Sequence, residues 1–226
     1  MNMKCYFLLL SLLFSLGVNA QKVSVLGDSY STFKDQVNPS WNAIWYGTEY
    51  QLSEGVNDVR TVEQTWWHQV IKGMNYTLEQ NNSWSGSTVC YTGYNGEWQT
   101  NRAFITRVQD LGNPDIILIC GGTNDSWAGA PIGNYVYSNW TREQLFAFRP
   151  AFAYMLDYLV RNYPKARIVN ICNSELSEAI TQSQAEICAH YHIENVQLQN
   201  VDKQNGHPSI AGMKAMAEQV MAVLKK

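Results

Sequence analysis

The sequence predicts an α/β fold in which a parallel, five-stranded sheet is covered by helices on both faces. Five short runs rich in β-branched and apolar residues alternate with stretches that carry apolar residues at helical spacing. The run at 115–120, Asp-Ile-Ile-Leu-Ile-Cys, is nearly all apolar, as expected of a strand buried on both faces. Parallel strands are joined by right-handed crossovers, so the intervening helices fall on both sides of the sheet.

The predicted strands lie at 23–26, 76–79, 115–120, 167–172 and 194–198. Helical spacing predicts helices over 62–74, 141–163 and 174–191, the second closed by Pro164 and the third capped by Ser174. A last helix is predicted from Pro208 onward, because proline is favoured at the first helical position. The stretch 38–60 is too long for a plain connector, which predicts an ordered loop or hairpin overhanging the sheet.

The first twenty residues have the pattern of a secretory signal peptide. Lys4 supplies a short positive region, residues 6–16 form an apolar run, and Val18-Asn19-Ala20 places small residues at a cleavage site. The apolar run is shorter than the roughly twenty residues that span a bilayer. We therefore expect an exported protein cleaved after Ala20, with residues 21–226 forming a single domain. An uncleaved anchor is the alternative.

The composition is that of a globular protein. Of 226 residues, 46% are hydrophobic and 15% charged, and the formal net charge is −3 without a long run of one sign. Neither nucleic acid nor an anionic membrane is therefore an expected partner. Eight Trp and thirteen Tyr exceed what a core of this size needs, and such rings often line sugar or acyl sites. The oligomeric state is left open.

Four cysteines follow the predicted cleavage site: Cys90, Cys120, Cys172 and Cys188. Export permits disulfides among them. However, Cys120 and Cys172 lie in predicted strands, where a buried free thiol is the commoner outcome. No CxxC spacing occurs, which argues against a structural zinc site.

Residues suited to catalysis follow the predicted strands at their carboxyl ends, where ligands gather in such sheets. Gly27-Asp28-Ser29 follows the first strand and presents a hydroxyl beside backbone N–H groups. Gly86 follows the second strand and can offer an unobstructed N–H. Gly121-Gly122-Thr123-Asn124-Asp125 follows the third, where the Asn124 amide is a good oxyanion donor and Asp125 is expected to brace the loop. His207 follows the last strand, immediately before the last helix.

Each of these motifs is short and also typical of ordinary turns, but their combination is specific. Gly-Asp-Ser, a later Gly, Gly-x-Asn-Asp and His-Pro, in this order, resemble the four blocks of the SGNH (GDSL-type) hydrolase family. The resemblance runs from Val23 to the final helix. It implies a flavodoxin-like three-layer α/β/α sandwich and ester hydrolysis through an acyl-enzyme, with no cofactor or metal.

The resemblance also implies the role of each site residue. Ser29 matches the nucleophile, and His207 matches the general base. Gly86 and Asn124 match the oxyanion donors that act together with the Ser29 N–H. These roles are chemically reasonable, because a serine hydroxyl needs an imidazole to take its proton, and fixed N–H donors offset the charge of the tetrahedral intermediate.

Two departures from the family pattern concern the histidine and the nucleophile turn. Tyr30 stands where the family usually has Leu. The acid that orients the histidine usually stands three residues before it, where this chain has Gln204. Asp202 is the nearest acid, and the Asn205-Gly206 turn could fold it back onto the imidazole. We predict that Asp202 orients His207, with Gln204 or a backbone carbonyl as the alternative.

We expect an exported carboxylic-ester hydrolase, with removal of acetyl groups from carbohydrate as one form of this activity. Trp41, Trp45, Tyr46 and Trp127 are candidate substrate-binding residues, because aromatic faces stack on sugar rings. A lipase or thioesterase remains open, since fold and triad do not choose the leaving group. The Gln204 departure leaves room for a non-catalytic glycan-binding domain. A histidine base predicts activity that rises through a pKa near about 6.5.

Overall fold

A computed structural model describes residues 20–226, and the predicted signal peptide lies outside this range except for Ala20. Five parallel strands form one sheet in the order β2-β1-β3-β4-β5. The strands are β1 (Lys22–Gly27), β2 (Thr77–Ser83), β3 (Ile116–Cys120), β4 (Arg167–Cys172) and β5 (Glu194–Gln197). This confirms the predicted sheet. Its strand order is the flavodoxin-like one, in which ligands bind where the winding reverses between β1 and β3.

Helices cover both faces of the sheet. The described α-helices are α1 (Glu49–Leu52), α2 (Trp66–Gly73), α3 (Phe104–Arg107), α4 (Thr123–Ala128), α5 (Phe148–Asn162), α6 (Glu178–His190) and α7 (Ile210–Leu224). Apolar residues of α3, α5 and α6 form one core against the sheet, and those of α2 and α7 form the other. The molecule is therefore the three-layer α/β/α sandwich that the sequence predicts.

Strand β3 shows why helices are needed on both faces. Ile117 and Ile119 face the core under α5 and α6, whereas Ile116, Leu118 and Cys120 face the core under α2 and α7. Side chains of a strand point alternately to the two faces. Because both sets are apolar, neither face of this strand can be left to water.

Helices α2, α5 and α6 begin several residues later than the sequence predicts. Residues 62–74 divide into a 3₁₀ turn (Val62–Gln64) and α2, because Thr65 is extended and its hydroxyl donates to the Val62 carbonyl. Helix α5 begins at Phe148, which places Pro150 in its first turn, where the missing N–H breaks no helical bond.

Ser174 is not the cap of α6. The helix follows Ser177 instead, because Glu175 has a left-handed φ of 63° that a helix cannot contain.

The largest difference lies at 203–208, where the structure has a hairpin in place of a helix start. Strands β6 (Lys203–Gln204) and β7 (His207–Pro208) pair antiparallel, so Gln204 lies opposite His207. The two turn residues between them have positive φ, 49° at Asn205 and 74° at Gly206. Asn-Gly is the usual sequence of such a two-residue turn. Helix α7 therefore starts after this hairpin, with the Ser209 hydroxyl accepting from the Gly212 N–H.

The stretch 38–60 is an ordered loop that contains α1 and contacts the hairpin. The Tyr46 hydroxyl donates to the Pro208 carbonyl at 2.8 Å. All four cysteines from Cys90 onward are buried free thiols. Between Ala20 and Lys226, no helix has both the length and the apolar character needed to cross a membrane.

Candidate active site

Ser29 and His207 meet at the carboxyl edge of the sheet. Ser29 begins a 3₁₀ turn (Ser29–Ser31) directly after β1 and is only 3% exposed. Its Oγ lies 3.0 Å from Nε2 of His207. This distance is within the range for direct proton transfer between a hydroxyl and a base. The structure thus brings together the two residues for which the sequence predicts the central roles.

The turn that presents Ser29 is held by Asp28. One carboxylate oxygen of Asp28 accepts from the Tyr30 N–H at 3.0 Å, and its main-chain carbonyl accepts from the Ser31 N–H at 3.1 Å. The other oxygen, Oδ2, is buried and has no hydrogen-bond partner among residues 20–226. Burial raises the pKa of Asp28 to about 7, and the bond from the Tyr30 N–H opposes this.

Three N–H donors that follow the neighbouring strands β1, β2 and β3 are candidates for binding an oxyanion. The backbone N–H groups of Ser29 and Gly86 donate no hydrogen bond to the described part of the chain. Gly86 has a φ of 77° with open space where a Cβ would lie, so the left-handed backbone itself favours glycine there. The Asn124 Nδ2 donates to the Ser87 carbonyl at 3.0 Å and has a second N–H to offer.

Tyr94 fixes the orientation of the Asn124 amide. Its hydroxyl donates to the Asn124 Oδ1 at 2.8 Å, on the side of the amide opposite the Ser87 contact. The amide is therefore held at both ends before any substrate arrives. Preorganised donors of this kind require little reorganisation when charge develops on the substrate.

A buried arginine connects the nucleophile turn to the Gly86 loop, and a buried aspartate holds the residues that follow this loop. Arg107 donates to the Gly27 carbonyl at 3.1 Å and to the Ser87 hydroxyl at 2.9 Å, and also to the Asn82 carbonyl.

Asp125 accepts from the N–H groups of Val89 and Cys90 at 2.8 and 3.2 Å, which confirms its predicted bracing role. Burial raises the pKa of Asp125 to about 6 and lowers that of Arg107 to about 9. Sequence reasoning missed Arg107, since no motif marks it.

The group that orients His207 is a main-chain carbonyl. His207 Nδ1 lies 3.1 Å from the Asn205 oxygen. The predicted contact with Asp202 is not formed: the Asp202 carboxylate accepts from the Ser209 hydroxyl instead, at the start of α7. The tight Asn-Gly turn brings the carbonyl of Asn205 to the ring and leaves Asp202 beyond it. Of the groups that the sequence offers for orienting His207, the backbone carbonyl is the one that contacts the ring. Gln204 makes no hydrogen bond to the ring among the described contacts.

The hairpin that carries His207 is tied to the rest of the site through its carbonyl groups. Tyr30 donates from its hydroxyl to the Gly206 carbonyl at 2.6 Å, which links the nucleophile turn directly to the histidine turn. Asn57 Nδ2 lies 3.3 Å from the His207 carbonyl. The tyrosine at position 30 therefore has a bond that the usual leucine could not make.

Aromatic side chains surround the His207 imidazole. Trp45 stacks on it, and Tyr30, Tyr46 and Trp127 meet it at larger angles. Burial lowers the pKa of His207 to about 4; the Asn205 carbonyl opposes this shift and the positive charge of Lys203 reinforces it. The ring is therefore a neutral base throughout the physiological pH range. The value near about 6.5 expected of a solvated histidine does not apply here.

The four aromatic candidates for substrate binding have different environments. Tyr46 is fully buried, and its hydroxyl is bonded to Pro208, so the prediction that it contacts substrate is wrong. Trp45 has one ring face covered by His207. Trp127 is 45% exposed beside His207, and Trp41 is 75% exposed. Between residues 20 and 226, no group of three or more His, Cys, Asp and Glu side chains could hold a metal ion.

Comparison with known proteins decides the family. A family model described as GDSL-like lipase/acylhydrolase matches residues 21–224. The chain belongs to this GDSL-like family. The family's activity is ester hydrolysis, so the chain is an acylhydrolase of this general kind. No match was found among curated proteins.

Solved structures of other GDSL-like proteins resemble the chain closely. A GDSL-like lipase from Bacteroides uniformis is 55% identical, with a TM-score of 0.89 over 91% of this chain and 96% of that one. Another from Bacteroides ovatus is 47% identical, with a TM-score of 0.88 over 92% and 99%. A family two carbohydrate esterase from Clostridium thermocellum, solved in complex with cellohexaose, is 16% identical with a TM-score of 0.60 over 91% and 63%. This last likeness is one of fold alone.

Proposed function

We propose that this GDSL-like protein is an exported serine esterase that hydrolyses carboxylic esters through an acyl-enzyme on Ser29. The observation that carries the proposal is the 3.0 Å contact between Ser29 Oγ and His207 Nε2. The N–H groups of Ser29 and Gly86, which donate to no other described group, and the amide of Asn124 support the proposal as oxyanion donors, because they follow neighbouring strands of the sheet. A nucleophile, a base and oxyanion donors are the three parts that acyl transfer needs.

The two contacts of the His207 ring support a proton position for each step of this reaction. The Asn205 carbonyl accepts a hydrogen from Nδ1, so Nε2 carries the lone pair that faces Ser29. His207 takes the hydroxyl proton as Oγ attacks the ester carbonyl, and the N–H donors hold the resulting oxyanion. His207 then gives the proton to the leaving alcohol. In the second half, His207 takes a proton from water as the water attacks the acyl carbonyl, and it returns that proton to the Ser29 oxygen as the acid leaves.

For the substrate, we propose a small-molecule or glycan ester, with an acetyl group on carbohydrate as the leading candidate. Trp127 supports this, because it is 45% exposed beside His207 and an indole can stack on a sugar ring. Export is supported by the signal-peptide pattern of residues 1–20. We therefore place the cleaved protein outside the cytoplasm, secreted or periplasmic. The proposed reaction requires no cofactor, no nucleic acid partner and no inserted membrane segment.

The test is hydrolysis of 4-nitrophenyl esters by residues 21–226. Wild type is expected to release nitrophenol from the acetyl ester, and Ser29→Ala is expected to lower kcat about a thousandfold or more with little change in Tm. Ser53→Ala, at an exposed hydroxyl that bonds only the Glu49 carbonyl, is the matched control and should keep full activity. Equal inertness of wild type and Ser29→Ala on every ester would refute the enzyme and leave a glycan-binding domain.

Acyl length and export are tested separately. Acetyl esters should be cleaved faster than octanoyl esters, and a reversed preference would indicate a lipase. Acetylated oligosaccharides, assayed for free acetate, test the carbohydrate part directly.

Export is tested by expressing the full chain and recovering it from a bacterial periplasm. N-terminal sequencing should show a protein that begins at Gln21. An intact N-terminus would contradict cleavage after Ala20.

A further inference from the structure

One face of the His207 imidazole is covered by the indole of Trp45. Their ring centroids lie 3.6 Å apart, and their planes differ by only 3°. The other three rings around His207 meet it at steeper angles and longer distances: Tyr30 at 5.4 Å, Trp127 at 6.1 Å and Tyr46 at 6.2 Å. Full face-to-face contact with the imidazole is therefore a property of Trp45.

The main chain at Trp45 is tied to the nucleophile turn. The Trp45 main-chain N–H donates to the Thr32 hydroxyl at 2.9 Å, and that hydroxyl donates to the Ser29 carbonyl at 3.0 Å. Tyr46 packs edge-on against the indole, with centroids 4.5 Å apart. Trp45 thus belongs to the same rigid unit as the Ser29 turn.

This site develops a positive charge without a carboxylate to balance it. In Ser-His-Asp sites the carboxylate both holds the imidazole tautomer and stabilises the imidazolium. Here the Asn205 carbonyl accepts from Nδ1 and holds the tautomer, but it is a neutral group. The charged side chain that acts on the imidazole is the cationic Lys203, which lowers the pKa of His207 and is paired with Glu175.

The other titratable groups facing His207 do not supply negative charge. Burial raises the pKa of the Tyr30 phenol and of the Tyr46 phenol, so both hydroxyls stay neutral. Both also donate their protons to hairpin carbonyls, at Gly206 and Pro208. Besides the Asn205 carbonyl, which contacts the ring edge, the electron-rich face of Trp45 supplies negative potential in direct contact with the ring face.

We propose that Trp45 is a positioning residue that stabilises the imidazolium of His207 through the π face of its indole, in the place of the missing carboxylate. The inference rests on the proposed function, in which His207 takes the Ser29 proton. A cation over an indole face is attracted by the ring quadrupole, and the attraction is stronger where water is excluded. The stacked ring also prevents the imidazole from rotating away from Ser29.

The test weakens the π face without changing the shape of the ring. Trp45→Leu would remove packing and electrostatics together, so we choose site-specific replacement of Trp45 by mono-, di- and trifluorinated tryptophan. We expect kcat on 4-nitrophenyl acetate to fall stepwise with fluorine number, by roughly two- to thirtyfold in total, with KM nearly unchanged. The pKa of His207, followed by NMR of its ring protons, should fall in the same order.

The same series at Trp140, which packs on Tyr154 and bonds the Val136 carbonyl, is the matched control and should change neither quantity. A purely packing role for Trp45 predicts constant kcat and constant His207 pKa across the series, and that result would overturn the inference. If no ester is hydrolysed by any variant, the proposed function fails. The NMR titration still decides the role of Trp45, since it needs no substrate.

Discussion

The nucleophile side and the histidine side of this active site are held by different kinds of interaction. Around Ser29 and Asn124, the ends of parallel strands are joined by buried polar contacts, in which Arg107 and Asp125 bind main-chain groups. Around His207, a two-residue turn is held by phenol hydroxyls, a main-chain carbonyl and a stacked indole. One side uses buried charge, and the other uses aromatic contacts and neutral hydrogen bonds.

This difference between the two sides indicates which part of the site tolerates a change of residue type. The proposed oxyanion donors directly follow strands of the sheet, so their positions follow from the fold. The orientation of the base requires only an acceptor near Nδ1 and a wall against the ring, and several residue types can supply these. A GDSL-like site can therefore keep its nucleophile half and build its histidine half from other residues.

The strongest test of the nucleophile side is removal of the Asn124 donor. Asn124→Ala is expected to lower kcat on an acetyl ester by about a hundredfold or more, because the loss of one oxyanion donor typically costs that much. KM should change little. Asn124→Asp keeps the shape but not the donor and should be at least as inactive. Full activity in the aspartate variant would show that this amide is outside the oxyanion site.

A smaller effect is expected from the residue that orients this amide. Tyr94→Phe removes the hydroxyl that donates to Asn124 Oδ1. We expect a roughly two- to twelvefold loss of kcat, equivalent to a net hydrogen bond of about 0.5–1.5 kcal/mol. Tyr137→Phe is the matched control, since that ring stacks on His190 away from the site. If Tyr94→Phe is as active as Tyr137→Phe, the Asn124 amide does not need the hydrogen bond from Tyr94.

On the histidine side, Asp202→Asn should affect stability more than catalysis. In a Ser-His-Asp triad, the corresponding change lowers kcat about ten thousandfold. Here the carboxylate bonds Ser209 at the start of α7, so we expect activity within about threefold of wild type and a loss of about 1 kcal/mol in the free energy of unfolding. Activity assays and urea unfolding measure the two. A loss of activity near a thousandfold would restore Asp202 as the orienter.

The smallest change is expected across neutral pH. The pKa of His207 is lowered to about 4, so the ring is unprotonated, and competent as a base, at every pH well above that value. kcat/KM should therefore be nearly constant from pH 6 to 8 and should decline only as the pH falls toward 4. If the midpoint of the pH–activity curve were instead about 6.5, water or an acidic group would have to reach the His207 ring.

The sequence predicted where the residues of the nucleophile side lie, because strand ends are readable from apolar runs. Ser29, Gly86 and Asn124 each follow such a run, and parallel strands bring their carboxyl ends to one edge. The sequence predicted the histidine side less well because Asn205-Gly206 is compatible with several loop shapes. Only the observed turn geometry selects the Asn205 carbonyl over Asp202.

Some of the aromatic contacts could not be predicted for a different reason. Trp45 and Tyr46 lie in a loop with no periodic pattern, so their partners depend on how that loop packs on the hairpin. An aromatic residue in such a loop can equally bind substrate or support the site. Tyr46 supports the hairpin, and Trp45 contacts the imidazole of His207. Composition alone does not distinguish these roles from substrate binding.

The central claim is that Ser29 is a nucleophile activated by His207. It is tested most directly by labelling the protein with a fluorophosphonate and mapping the adduct by peptide mass spectrometry. We expect one phosphonylated residue, Ser29, no adduct in Ser29→Ala, and labelling slowed about a hundredfold or more in His207→Ala. A wild-type protein that stays unlabelled, or that is labelled at another serine, would contradict the account.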